Sequence, residues 1–218
     1  MVRRFFEEQI RELLEDLLAM GDMVAGSIDR SIQALARQDE ELAEQVIAYD
    51  DEINAIQQEI DEKCLVLLAT QQPMASDLRA IMAISNIAAE LERMGDYTEG
   101  IGRLAIKLSD RPLLKPLIDI PRMAEGSRQM LTSALEAFAR QDVQTAEAVG
   151  KADDEIDALY DQIYRELLVY MMEDPRTITQ ATYLLWVAHN LERIADRTTN
   201  IAERVIFLNS GRIVDLNR

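Results

Sequence analysis

The chain repeats itself. Displaced by 103 positions, Ala36-Arg37-Gln38-Asp39 falls on Ala139-Arg140-Gln141-Asp142, and Asp50-Asp51-Glu52-Ile53 falls on Asp153-Asp154-Glu155-Ile156. Between positions 36 and 60, 13 of 25 residues are identical across that displacement. Farther on the displacement is 100: Leu91-Glu92-Arg93 meets Leu191-Glu192-Arg193, and Asp96, Thr98 and Ile101 meet Asp196, Thr198 and Ile201. A chain with such a period folds twice into one unit, the second copy having lost three residues between its second and third segments.

The copies are separated by Arg111-Pro112-Leu113-Leu114-Lys115-Pro116-Leu117-Ile118-Asp119-Ile120-Pro121, whose prolines cannot all sit inside one continuous helix. Residues 1–110 are therefore the first unit, 111–121 a stiff connector and 122–218 the second unit. Within each unit apolar residues step by three and four. The first segment gives Ile10, Leu14, Leu17, Val24, Ile28, Ile32 and Leu35. The second gives Leu42, Val46, Tyr49, Ile53, Ile56, Ile60 and Leu67, and the third Ile84, Ile87, Leu91, Met94, Ile101 and Leu108. These are stripes of amphipathic helices. With only 8 glycines and 5 prolines among 218 residues, a many-stranded β fold lacks its turn formers. Breaks fall near Gln38-Asp39 and Gln71-Gln72-Pro73, with Ser76 or Asp77 as N-cap of the third helix, and Asp174-Pro175 opens the last. The expected fold is all-α: two tandem antiparallel three-helix bundles, each helix about 30 residues long.

Charge narrows the function classes. The formal net charge of −17 gives a nucleic acid no counterion release and an anionic membrane no attraction, and suits cations or basic protein patches. Apolar runs stop at six residues, far short of the ~20 that span a bilayer, and Arg3-Arg4-Phe5-Phe6 leads straight into Glu7-Glu8 with no signal-peptide core. A soluble, cytoplasmic protein is expected. The single cysteine, Cys64, lies in an apolar run and reads as a buried structural thiol. Gly150-Lys151 lacks the rest of a P-loop, and zinc or ferritin-type di-iron sites need more than the one histidine and one cysteine present. Those enzyme readings fail on inventory. His189 shares a helical face with Glu192 and Asp196, and reads as a packed histidine bonded to a carboxylate before it reads as a phosphoacceptor.

The acidic pairs carry the remaining signal. Glu92 and Asp96 stand at i and i+4, as do Glu192 and Asp196, although like charges at that spacing oppose a helix. With 40 acids in the chain, chance supplies about seven such spacings; recurrence inside Leu-Glu-Arg-x-x-Asp-x-Thr-x-x-Ile of both copies is what singles these out. On the preceding helix Asp50 and Asn54 flank Ile53, and Asp153 and Asp157 flank Ile156. Antiparallel helices could bring the two stripes together. Facing carboxylates need a compensating cation, and an all-oxygen set selects hard ions. The alternative is neutralisation by Arg93, Arg103, Arg193, Arg197 and Arg204 as surface ion pairs, and spacing alone leaves both open.

The stretches Leu68-Ala69-Thr70-Gln71-Gln72-Pro73-Met74-Ala75-Ser76-Asp77-Leu78-Arg79 and Glu90-Leu91-Glu92-Arg93-Met94-Gly95-Asp96 resemble motifs of the PhoU family, regulators of bacterial phosphate uptake. Tyr170-Met171-Met172-Glu173-Asp174-Pro175-Arg176-Thr177-Ile178 and Leu191-Glu192-Arg193-Ile194-Ala195-Asp196-Arg197 match them in the second copy. The resemblance implies a cytoplasmic, non-catalytic adaptor that keeps phosphate-starvation genes off when phosphate is plentiful. It implies coupling between the ATPase subunit of the phosphate ABC transporter and a membrane sensor histidine kinase. A homodimer is implied too, meeting the membrane only through partners, with no nucleic acid bound. It further implies metal ions, iron, Mn or Mg, on Glu92 with Asp96, Glu192 with Asp196, and Asp153 with Asp157. Asp50 departs from the pattern, since Asn54 follows it. The second site, with four motif carboxylates against three, is expected to bind a hard cation more tightly. Other readings are an accessory protein of another phosphate permease and a metal-handling helical bundle.

Overall fold

The computed structural model describes residues 2–71 and 73–217, so Gln72 of the 2–3 connection, like Met1 and Arg218, lies outside the described residues. They form α1 (Val2–Arg37), α2 (Glu40–Gln71), α3 (Ala75–Leu108), α4 (Asp119–Arg140), α5 (Val143–Glu173) and α6 (Ile178–Ser210), with one 3-10 turn, Pro175–Thr177. Among the described residues there is no strand, and no helix is long and apolar enough to cross a membrane.

The repeated Ala-Arg-Gln-Asp motif is a helical hairpin. Gln38 and Gln141 take the left-handed conformation, with φ of 53° and 55°. Asp39 N donates to Ala34 O and Asp142 N to Ala137 O, both at 2.9 Å, which closes the preceding helix. The same aspartates then cap the next helix: Asp39 Oδ1 accepts from Leu42 N, and Asp142 Oδ1 from Gln144 N and Thr145 N. Gln38 offsets its strained backbone by donating its side-chain amide to Leu108 O and Arg111 O.

Three local expectations shift. The connector ends at Ile118, because Pro121 sits within the first turn of α4, where a missing N–H costs nothing. That connector consumes helix length, so α4 has 22 residues where the other helices have 31 to 36. Neither Ser76 nor Asp77 caps α3; Met74 precedes its first turn without a side-chain bond. Asp174 does act as a cap, but of the 3-10 turn, accepting from Arg176 N at 3.0 Å.

The apolar stripes become one core. Val46, Ile53, Ile60 and Leu67 of α2 and Ile84, Ile87, Leu91, Met94, Ile101 and Leu108 of α3 are all buried, while Leu42, Tyr49 and Ile56 lie at its edge. Cys64 is buried among them, and burial pushes its thiol up to about 11, so the thiolate needed for reaction is suppressed.

The halves pack through α3 against α6 and α1 against α4, leaving α2 and α5 on the outer flanks. The α3–α6 crossing is antiparallel. Arg197 of α6 reaches Glu90 of α3 at 3.0 Å, and Lys107 lies 5.4 Å from the ring centre of Tyr183. A pseudo-two-fold axis relates the copies, since Asn200 meets Glu90 just as Asn190 lies over Gly100. The α2–α3 and α5–α6 turns therefore stand at opposite ends of the molecule.

Candidate metal centre: two carboxylate clusters

Each bundle gathers its repeated acids between its outer helix and its third helix. Asp50 on α2 is buried, at 8% exposure, and faces Glu92, Asp96 and Glu99 of α3. Burial first, then the field of these acids, raises its pKa from 3.8 to about 6, against a hydrogen bond from Asn54 Nδ2 to its Oδ2 (2.9 Å) that favours the anion. Asp153 on α5 is buried more deeply, at 4%, facing Asp157 of its own helix and Asp196 and Glu192 of α6. Burial and then Asp157, Asp196 and Glu192 push it up to about 7. Glu192 is also raised to about 7, by burial first and then Asp196, against the pull of Arg193. Asp157 and Glu92 are raised too, mainly by burial.

All seven residues singled out by the repeat thus fall into two clusters, Asp50, Glu92 and Asp96 in one and Asp153, Asp157, Glu192 and Asp196 in the other. Arginine compensates them in part. Arg93 lies 3.5 Å from Glu92 and 3.4 Å from Asp96, and Arg193 pairs with Asp196 Oδ2. Arg197 turns instead to Glu90 across the α3–α6 seam, and Arg103 to Glu99. This leaves buried acceptors bare: Asp50 Oδ1, Asn54 Oδ1, Asp153 Oδ1 and Glu192 Oε2 have no hydrogen-bond partner. A buried acceptor without a donor costs about 1–3 kcal/mol, more when charged. Hard-cation chemistry suits such oxygens. Among the described residues, however, no three Asp, Glu, His or Cys side chains form a ready-made cage for one ion. The clusters hold the right donors in a wider arrangement.

Two members escape the sequence reading. Glu99, seven residues after Glu92 and three after Asp96, also faces Asp50. Its spacing was visible, but Thr199 occupies the matched place, so the repeat filtered it out. With Glu99 the first cluster also counts four carboxylates, although Arg103 pairs with Glu99 and offsets its charge. The other is Asn217, whose Nδ2 donates to Asp196 Oδ1 at 2.7 Å; nothing local in the sequence marks it. His189 stays at the edge. Its ring is half-exposed and tilted against Tyr160, and Nδ1 lies 3.4 Å from Glu192 Oε2, within ion-pair reach but without hydrogen-bond alignment.

Two tandem three-helix bundles carrying matched carboxylate clusters on a pseudo-two-fold frame define a class of duplicated all-helical proteins. The PhoU domain model matches residues 17–105 and again 120–205. The chain is 42% identical over 207 residues to the phosphate-specific transport system accessory protein PhoU homolog of Aquifex aeolicus, covering 95% of this chain and 94% of that one. The Clostridium acetobutylicum protein of the same name is 39% identical over 218 residues, covering all of both chains. The crystal structure of PhoU from Pseudomonas aeruginosa superposes with a TM-score of 0.91 at 39% identity, covering 95% of this chain and 100% of that chain. The phosphate transport system regulatory protein PhoU from Streptococcus pneumoniae gives 0.89 at 33%, covering 96% and 99%. The chain belongs to the PhoU family.

Proposed function

We propose that this chain is a cytoplasmic, non-catalytic regulator of phosphate uptake. It acts as an adaptor between the ATPase of the phosphate ABC transporter and a sensor histidine kinase, and holds phosphate-starvation genes off when phosphate is plentiful. The observation that carries the reading is similarity along the whole length, through both repeats, to proteins named as accessory to phosphate-specific transport. An adaptor needs faces for partners, and exposed apolar residues recur at matched positions of the two copies: Leu65 and Leu168, Val66 and Val169, Leu78 and Ile178. Such residues on a surface mark interaction sites. Deleting the gene should switch on phosphate-starvation genes in phosphate-rich medium, read by transcript levels. Unchanged transcripts would favour service to another permease.

The clusters give this adaptor its second property, the binding of a hard cation such as iron, Mn or Mg. Bare buried carboxylate oxygens support it. A bound cation would neutralise the acids and draw α2 toward α3 and α5 toward α6, so the bundles would stiffen. Titration calorimetry with Mn2+ should show two classes of site. Glu92→Gln with Asp96→Asn should abolish one and Glu192→Gln with Asp196→Asn the other, while circular dichroism stays helical. Loss of neither class in these variants would leave the acids as a solvated ion-pair face.

A further inference from the structure

The segment after α6 turns back onto the protein. Gly211 takes the left-handed conformation, φ 69°, and closes α6 by donating its N–H to Phe207 O. Residues 212–217 then run back along the groove between α6 and α5. Leu216 N donates to Glu203 Oε1 at 2.9 Å, and Asn217 Nδ2 reaches Asp196 about two turns farther back. Val214 and Leu216 are half-buried against the core, whereas Ile213 between them and the turn is 91% exposed.

The seat for this segment is a glycine. A Cβ on Gly150 would lie 3.1 Å from Leu216 Cβ and 3.3 Å from both of its δ carbons, so Leu216 fills the space a side chain would take. The first bundle has no such seat. Ile47 stands at the matched position, and its Cγ1 fills the same groove to within 3.2 Å of the place a Cβ on Gly102 would occupy. The first copy's corresponding residues, 111–117, cross to the second bundle, where Lys115 pairs with Glu166. Among the described residues, such a segment lies over the second cluster alone.

The cover changes what that cluster can do. Asp196 is 7% exposed, its Oδ2 held by Arg193 and its Oδ1 by Asn217. Beside it Asp153 Oδ1, on a side chain more than nine-tenths buried, and Glu192 Oε2 remain without a partner. An ion entering here would meet bare oxygens on Asp153 and Glu192, whereas both oxygens of Asp196 are already held, one by Arg193 and one by the amide.

We propose that Asn217 is a further residue of the second cluster, carried by a strap seated on Gly150, and that it withholds Asp196 from a cation until the strap lifts. The inference rests on reading the clusters as cation sites. It makes the two halves unequal, one open and one strapped, in a molecule whose helices are nearly symmetric.

The test combines amide hydrogen exchange at Leu216 with Mn2+ titration of the full chain, its Gly150→Ile variant and its Asn217→Ala variant. Gly150→Ile installs the side chain that the first bundle already tolerates, and Asn217→Ala alters an exposed residue outside every helix. The Leu216 amide should be protected in the parent protein, lose that protection in Gly150→Ile, and exchange faster once Mn2+ is added. Both variants should bind Mn2+ roughly tenfold more tightly at the site abolished by Glu192→Gln with Asp196→Asn, the worth of one hydrogen bond to a carboxylate. Equal exchange in parent and Gly150→Ile would overturn the strap. Mn2+ bound with unchanged affinity in both variants would overturn the gating alone. No Mn2+ bound by any form would overturn the cation reading and the gating with it.

Discussion

Raising the pH from about 5 to about 8 should lower the melting temperature of the chelator-treated protein by on the order of 10 °C. Folding lifts Asp50 to about 6 and Asp153 and Glu192 to about 7, from ordinary values of 3.8, 3.8 and 4.5. The folded protein therefore holds protons that the unfolded chain has released. That contribution is complete below the ordinary carboxylate range and is lost as pH rises through the folded values. A tenfold difference in proton affinity is about 1.4 kcal/mol. The groups titrate as coupled clusters, and water reaches part of each, so their sum is discounted to about 3 kcal/mol. Carboxylates held low by arginine neighbours, such as Glu125 beside Arg128, titrate below this window and do not blur it. Asp153→Asn with Glu192→Gln should raise the melting temperature near pH 8 and flatten the curve. A parent profile that is flat, or that climbs between these pH values, would mean that arginine already neutralises the clusters.

Gly21→Leu should destabilise the protein by about 3 kcal/mol, whereas Gly26→Ala, five residues along the same helix, should stabilise it by about 1 kcal/mol. A Cβ on Gly21 would fall 2.1 Å from Leu135 Cδ1, because α1 and α4 pack against each other there. Leu135 is itself 5% exposed and has little room to retreat, so a larger side chain must part the bundles. Gly26 has nothing within 4 Å of the same position and an ordinary helical backbone, so alanine there only removes disorder from the unfolded chain. Denaturant unfolding of the two variants would show the opposed signs. If both shift stability the same way, the halves are not packed through this glycine.

The duplication, the six helices and the membership of seven acids in two clusters were legible in the residues, because each is a matter of local period or of matched position. Apolar steps of three and four define a helix whatever it packs against, and Glu92, Asp96, Glu192 and Asp196 repeat inside the same helical turn. The hairpins were legible as breaks, though the left-handed Gln38 and Gln141 were not, since glutamine rarely takes that conformation, and at Gln38 side-chain bonds to Leu108 O and Arg111 O add to the backbone closure. Helix starts moved by a few residues because a proline in the first turn, as at Pro121, is neutral and leaves no boundary signal.

What tertiary structure alone decided is which residues meet across long separations. Glu99 joins Asp50 because α2 and α3 lie antiparallel. Asn217 joins Asp196 because Gly150, a single missing side chain 67 positions earlier, opens a seat for Leu216. The raised pKa values likewise belong to burial, which no spacing reports: the same acids on a solvated helix would titrate as ordinary carboxylates. Sequence period specifies faces, and a face is enough to name the helices, while the sequence motifs carry the resemblance to the family. The depth of a carboxylate, and the chain segment that covers it, are set by packing between elements that the period does not connect.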